Sequence, residues 1–474
     1  MCVNNNPRPR GLRQIEKGTP MDTSIPLANN VPPGPRAPAI VQGLMFLADR
    51  HNTMQRMQNR YGTAYSVRLP TVGRAVIISD PDLIKQLFQT STDVARGMEP
   101  NLDLVLGPGS TFGLQGEAHR RRRKLLVPPF HGKRMRAYEG LIEQETLKEI
   151  AWWPKDREFP ILPSTMRITL NAILRAVFGA EGAELDVLRD LMPKIVDLGS
   201  KLALFPALHR DLGKYSPWGR YVRLRRQFNG IVGSLIATAE ADPRLAERAD
   251  VLSLMLQARY EDGTPMTDSD VADELLTLLA AGHETTATSL AWAIERLRRH
   301  PRVLKRLVAA VDAGDADLLQ ATIYEVQRVR PVINGAVRQV CAESMPLGQW
   351  TIPRGHTVIV GITLTHHRDA VYPDANGFNP DRFLDTVPDS YSWVPFGGGT
   401  RRCLGAAFAN MEMNVVLRTI LREYQLATTT AENEKWHNRG IAFAPGRGGL
   451  ARVTPRVSQD IPSAAPGQRP AAPG

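Results

Sequence analysis

The chain has 474 residues and a formal net charge of +11; 43% of it is hydrophobic and 23% charged, the balance of a globular protein with a large core. No apolar run approaches the roughly 20 residues a membrane span needs, and the first twenty residues lack the apolar block of a signal peptide, so a cytoplasmic location is expected. Cys2, Cys341 and Cys403 lie far apart; they exclude a disulfide framework, fit a reducing compartment and cannot supply the four ligands of an ordinary iron–sulfur cluster.

Residues 1–35 are polar, proline-dotted and aperiodic, which predicts a disordered flank with Met21 as a second candidate start. Within and beyond it, Val31–Pro38 reads as a stiff extended lead-in. Ala64–Leu69 and Ala75–Ser79 have strand composition, as does Thr357–Gly361. Arg120–Lys124 is a run of five cations, read either as a solvated helix face or as a patch for an acidic protein or nucleic acid. Three- and four-residue apolar spacing predicts helices at Glu139–Trp153, Ser164–Phe178, Ala183–Leu204, Trp218–Ala241 and Val251–Tyr260. A longer one spans Thr267–His300, opened by Thr267 and Asp270 at capping-box-like spacing and stopped by Pro301. Residues 455–474 are Pro/Ala-rich and predict a disordered tail. The body at 36–454 is therefore one mostly α, α+β domain.

Phe396-Gly-Gly-Gly399-Thr-Arg401-Arg-Cys403-Leu-Gly405 runs straight into a helical stretch, Ala406–Tyr424. Backbone N–H donors, a helix N-terminus and nearby cations each lower a thiol pKa. By sequence Cys403 has all three, the cations being Arg401 and Arg402. Gly399 and Gly405 permit tight turns and the close approach of a flat cofactor. Taken alone, a single cysteine in a reducing compartment is by default a buried, unreactive one.

This segment resembles the haem-ligand signature of the cytochrome P450 family, Phe-x-x-Gly-x-Arg-x-Cys-x-Gly, at every fixed position. Ala281-Gly-His-Glu284-Thr285-Thr286 resembles that family's oxygen-activation motif, Glu325-Val-Gln-Arg328 its Glu-x-x-Arg helix, and Asn379-Pro-Asp-Arg382-Phe383 its Pro-x-Arg-Phe segment. All stand in the family's order, and the resemblance covers about 36–450. It is nearest to bacterial soluble members, particularly actinobacterial ones.

The resemblance implies a large helical body around haem, with small β-sheets near the N-terminal part. It implies haem b (iron protoporphyrin IX) with Cys403 as axial ligand, and Phe396, Ala281 and Gly405 beside the ring. Glu284 and Thr285 would relay protons to bound dioxygen, with the small residues Ala281 and Gly282 letting the helix pass close. His119, Arg123, Arg338 and Arg401 would meet the propionates, Arg121 or Arg122 being alternatives to Arg123. The other charges of the run would dock an acidic electron donor; no nucleic-acid fold accompanies them. Glu325, Arg328 and Arg382 would form a buried structural network. His283 gains no role, because the second histidine of a zinc HExxH helix is missing.

Gly446-Arg-Gly448-Gly-Leu-Ala451 leads into Arg-Val-Thr-Pro rather than a helix, so it is no dinucleotide fingerprint. Electrons would come from a separate ferredoxin and its reductase. Loops around Met98–Phe112, Phe205–Tyr215, Val332–Ala336 and Ile441–Ala444 would line an apolar pocket for a lipid-like, steroid-like or aromatic substrate. The expected activity is insertion of one oxygen atom from O2 into that substrate. The alternatives are a haem-binding sensor without turnover, or peroxide-driven oxidation or dehydration.

Overall fold

The structure, a computed structural model, describes residues 30–456 except 71, 99–100, 131, 133 and 180–181. Met21 and the tail beyond Arg456 lie outside the described residues. Residues 30–35, predicted as part of a disordered flank, are instead held down: the carbonyls of Pro32 and Pro33 accept from Ser66 Oγ (2.7 Å) and Ser66 N (2.9 Å).

The helices that build the site are α1 (Pro81–Gln89), α2 (Gly116–Leu126), α3 (Leu162–Phe178), α4 (Ala183–Leu204), α5 (Asp268–Arg299), α6 (Asp317–Val329) and α7 (Ala406–Glu423). The predicted α4 matches end to end. The helix predicted at Val251–Tyr260 stops at Gln257, because Arg259 bridges to Pro265 and turns the chain out.

The central element is α5. Thr267 Oγ1 caps it by accepting from Asp270 N at 3.1 Å, and Asp268 and Asp270 at its start, with Arg296, Arg298 and Arg299 at its end, complement the helix dipole. Leu275, Leu276, Leu279, Leu290, Ile294 and Leu297 are completely enclosed, each contributing about 1.5–3 kcal/mol relative to exposure. Against it lies α3, stitched on by Thr165 Oγ1 donating to Ala287 O and Thr169 Oγ1 donating to His283 O, both at 2.9 Å. Helices α6 and α7 pack on its C-terminal half.

A five-stranded sheet flanks the helical body, with β1 (Ala64–Leu69), β2 (Gly73–Ile78), β3 (Ala95–Gly97), β4 (Gly335–Val340) and β5 (Thr357–Gly361) in the order β1-β2-β5-β4-β3. Only β2 and β5 pair in parallel, Ala75 opposite Thr357; β3 and β4 place Gly97 opposite Arg338. Two of the five strands come from beyond residue 334, one of them the predicted Thr357–Gly361, and join the N-terminal strands in one small sheet. A separate hairpin, β6 (Trp436–Arg439) with β7 (Ala442–Pro445), leans on α5. Among the described residues no helix is long and apolar enough to cross a membrane.

Candidate active site

The cysteine loop is shaped by its own backbone. Gly397 N donates to Val394 O, Arg402 N to Gly399 O, and Cys403 N to Phe396 O at 2.9 Å, before Ala409 N closes the first turn of α7 on Gly405 O. Gly399 has φ +63°, and a Cβ there would meet Phe88 O at 2.5 Å. Its glycine therefore serves the packing of α1, not the approach of a cofactor. Gly405 is different: a Cβ on it would meet nothing within 4 Å.

The Cys403 thiol has open space at its surface yet is surrounded by protein at longer range, so it faces an interior space. Burial pushes its pKa up; the Gly405 N–H and the charges of Arg123 and Arg402 pull the other way. The sequence reading named the backbone donors and Arg402, and burial works against both. Arg123 stands where Arg401 was expected, and the Arg401 guanidinium turns to Thr111 O (2.8 Å), Leu114 O and Gln115 Oε1 (2.8 Å).

Arg401 belongs to a second group. His119 and Arg123 on α2, Arg338 on β4 and Arg401 converge, and the field of the three arginines acts on His119. Burial first, then Arg401, Arg123 and Arg338, push its pKa down to about 4. Gly97, which sequence reasoning passed over, makes room for this: a Cβ there would lie 2.5 Å from Arg401 Nε. Arg338 donates to Gly398 O at 2.9 Å, tying the cation group to the cysteine loop.

The choice among the arginines of the run is decided by helical phase. Arg122 is buried and turns to Asp270 (3.0 Å), Glu274 (3.6 Å) and Tyr260 OH (2.8 Å). Arg121 pairs with Asp262 and lies over the Tyr260 ring. Arg123 alone of the three acts on Cys403. Arg120 and Lys124 pair with Glu117 and Glu261. Each of these leftover cations thus has a carboxylate at hand, several of the pairs being solvent-exposed.

Helix α5 is buried almost all round, except for a stripe in which Ala281 is exposed and Gly282, Thr285 and Ser289 partly so. Thr285 Oγ1 donates to Ala281 O (2.8 Å), and Ser289 Oγ donates to Thr285 O (3.1 Å). The helix runs unbroken through this stretch. A Cβ on Gly282 would press on Ile173 of α3 at 3.2 Å, so its smallness serves helix packing and Ala281 supplies the open face. His283 is enclosed against α3, with Nδ1 on Leu279 O at 2.8 Å. Glu284 is buried, with Oε1 3.4 Å from Arg439 Nε. Burial pushes its pKa up, Arg439 draws it down, and Asp197 of α4 pushes it up again. Arg439 lies 155 residues downstream, and no local motif signals it.

Behind the cysteine loop stands the predicted network. Glu325 and Arg328 have no solvent contact and join through two bonds of 2.7 and 2.8 Å. Arg328 also donates to His366 O, Ala375 O and Gly377 O. Arg382 Nε approaches Glu325 at 3.5 Å. His366 accepts from Val394 N at Nε2 (2.9 Å), which carries the network to the cysteine loop. Phe396 packs edge-on against Trp393, whose indole donates to Tyr324 O on α6.

Of the predicted pocket loops, 332–336 and 441–444 meet: Phe443 N donates to Val332 O (2.9 Å) and Trp292 Nε1 to Phe443 O (2.8 Å). The 98–112 loop is tied to α5 by Asp273 on Gly109 N and Glu274 on Thr111. In 205–215, by contrast, Leu212 and Tyr215 are 78% and 84% exposed, so that loop presents side chains to the outside.

The Cytochrome P450 family matches residues 32–450. Cytochrome P450 138 of Mycobacterium tuberculosis is 52% identical over 419 residues, covering 88% of this chain and 95% of the relative. Cytochrome P450 135B1 of the same species is 38% identical over 440 residues, covering 91% and 92%. Among solved structures, retinoic acid-bound cyanobacterial CYP120A1 shares the fold with a TM-score of 0.79 at 23% identity, covering 90% of this chain and 100% of that one. The cytochrome P450 CYP102L1 does so at 0.75 and 22%, covering 87% and 99%. The motifs, the fold and these relatives agree, and the chain belongs to the cytochrome P450 family of haem-thiolate monooxygenases.

Proposed function

We propose that Cys403 is the axial ligand of haem b and that the enzyme inserts one oxygen atom of O2 into an apolar organic substrate. The observation that carries this reading is a deeply set but accessible thiol beside four converging cationic or basic side chains. Among the described residues no three His, Cys, Asp or Glu side chains converge on one point. Cys403 as a single protein ligand would therefore suit a metal that arrives already held in a cofactor. His119, Arg123, Arg338 and Arg401 would hold the propionates, the arginines by charge-assisted bonds. Gly405, with open space before it, and Ala281, on the open stripe of α5, would admit the ring, with Phe396 at its edge.

When bound, haem supplies the redox-active iron, and thiolate donation favours O–O cleavage. The chain's own part is proton handling and positioning. Glu284 holds a proton at the end of a path past Arg439, and Thr285 Oγ1 presents it on the open stripe. The 332–336 and 441–444 segments and the 98–112 loop shape an apolar pocket, which fits a lipid-like, steroid-like or aromatic substrate.

Electrons would come from a separate ferredoxin and reductase. The Gly446–Ala451 run ends in the short strand Leu450–Ala451 rather than a helix, which leaves it unsuited to a dinucleotide. Arg402, exposed beside the ligand loop, is a better cation for an acidic donor than the already paired run. Reduced protein under carbon monoxide should show the red-shifted Soret band of thiolate ligation, lost in Cys403→Ser. A histidine-type band in the unaltered protein defeats the proposal.

A further inference from the structure

We infer that Arg439 is a positioning residue for Glu284, coupling proton uptake at that carboxyl to the seating of the β6–β7 hairpin on the substrate side. The inference rests on the reading of Glu284 as the proton carrier. Arg439 is the last residue of β6 and pairs across the hairpin with Ala442. Its neighbour Gly440, at φ +85°, forms the tip, where a Cβ would lie 2.7 Å from Ser200 Cβ of α4. The other strand is pinned to α5 and to the 332–336 segment through Phe443. The arginine thus sits on an arm wedged between α4 and the pocket wall.

The charges facing Glu284 come from two elements that both border this space. The hairpin offers Arg439, at 3.4 Å, and α4 offers Asp197, itself 2.8 Å from Lys201. From α3 the uncharged Thr169 and Ile173 approach this stretch, and the His283 ring bonds back to Leu279 O. Burial favours the protonated acid, Arg439 favours the carboxylate, and Asp197 opposes Arg439. The contact is long, and the Arg439 side chain is 43% exposed, so it is a weak tether. A shift of the hairpin tip away from α5 would leave Glu284 facing Asp197 and take a proton from solvent; reseating would release it toward Thr285. No electron moves in this exchange.

The test is a pH titration of the holoenzyme by infrared difference spectroscopy, following the protonated-carboxyl band that Glu284→Gln removes. Arg439→Gln should raise the midpoint by about half a pH unit, a roughly threefold gain in proton affinity. Asp197→Asn should lower it by less, and Arg439→Lys should restore most of the original value. The pH profile of product yield per electron pair should move the same way, with the carbon monoxide band intact in every variant. A Glu284 band whose midpoint is the same with and without the Arg439 guanidinium overturns the inference. If Glu284→Gln removes no band and leaves peroxide leakage unchanged, the underlying reading of Glu284 fails instead.

Discussion

On the cysteine side, Glu325 and Arg328 are sealed from solvent and all three guanidinium nitrogens of the arginine are bonded, two of them twice. On the α5 side, Glu284 meets one half-exposed arginine at 3.4 Å, and Thr285 bonds only within its own helix turn. Both regions use carboxylates and arginines, but burial gives them opposite properties. Breaking a buried pair strands a charge and costs about 3–5 kcal/mol, whereas an exposed pair is worth about 0.2–1 kcal/mol. The first arrangement holds the Val394–Cys403 loop in one place. The second holds Glu284 and Thr285 by weaker, more local bonds.

The largest effect expected from this contrast is on stability. Arg328→Leu should lower the unfolding free energy by about 3–5 kcal/mol, read as a shift in denaturant midpoint at unchanged slope. Arg439→Gln should cost under about 1 kcal/mol in the same measurement; equal losses would erase the distinction. Next in size, Thr285→Ala should keep the carbon monoxide band while product per electron pair falls by at least about tenfold and peroxide rises. Unchanged coupling would remove Thr285 from the relay.

A smaller effect separates neighbours on one helix. Arg123→Leu should speed haem transfer to an acceptor protein by about tenfold, equivalent to one charge-assisted bond, and Arg121→Leu should leave it unaltered. The smallest effect is a pH dependence. His119 is held near 4 in the folded protein against about 6.5 when unfolded, so the unfolded chain takes the proton first. The haem-free protein should lose stability as pH falls from about 6.5 to 4, with about 1–2 kcal/mol of that loss due to His119. Comparison with His119→Gln isolates this share from His366 and His367, which burial also depresses.

The cysteine segment, the Glu284–Thr285 pair and the Glu325–Arg328 pair were legible because each is a short contiguous pattern whose geometry a loop or a helix turn dictates. The phase His119 to Arg123, four residues apart on one helix, pointed to the arginine that acts on both His119 and Cys403. Reasoning from neighbours in sequence failed where the deciding contact came from elsewhere. Gly399 and Gly282 read as room for a cofactor, yet they face Phe88 and Ile173. The arginine run read as free charge, yet Asp262, Glu261 and Glu274 meet it from a distant hairpin and from α5.

By itself, then, the sequence determined the cysteine-loop motif, the long helix bearing Glu284 and Thr285 and the mostly helical body, since those depend on local spacing, capping and composition. Only the tertiary structure decided how far burial opposes the charged forms of Cys403 and Glu284, the convergence of His119, Arg123, Arg338 and Arg401, and the pairing of Glu284 with Arg439. Desolvation and Coulomb fields act through space, and the charges responsible here are scattered from residue 123 to residue 439.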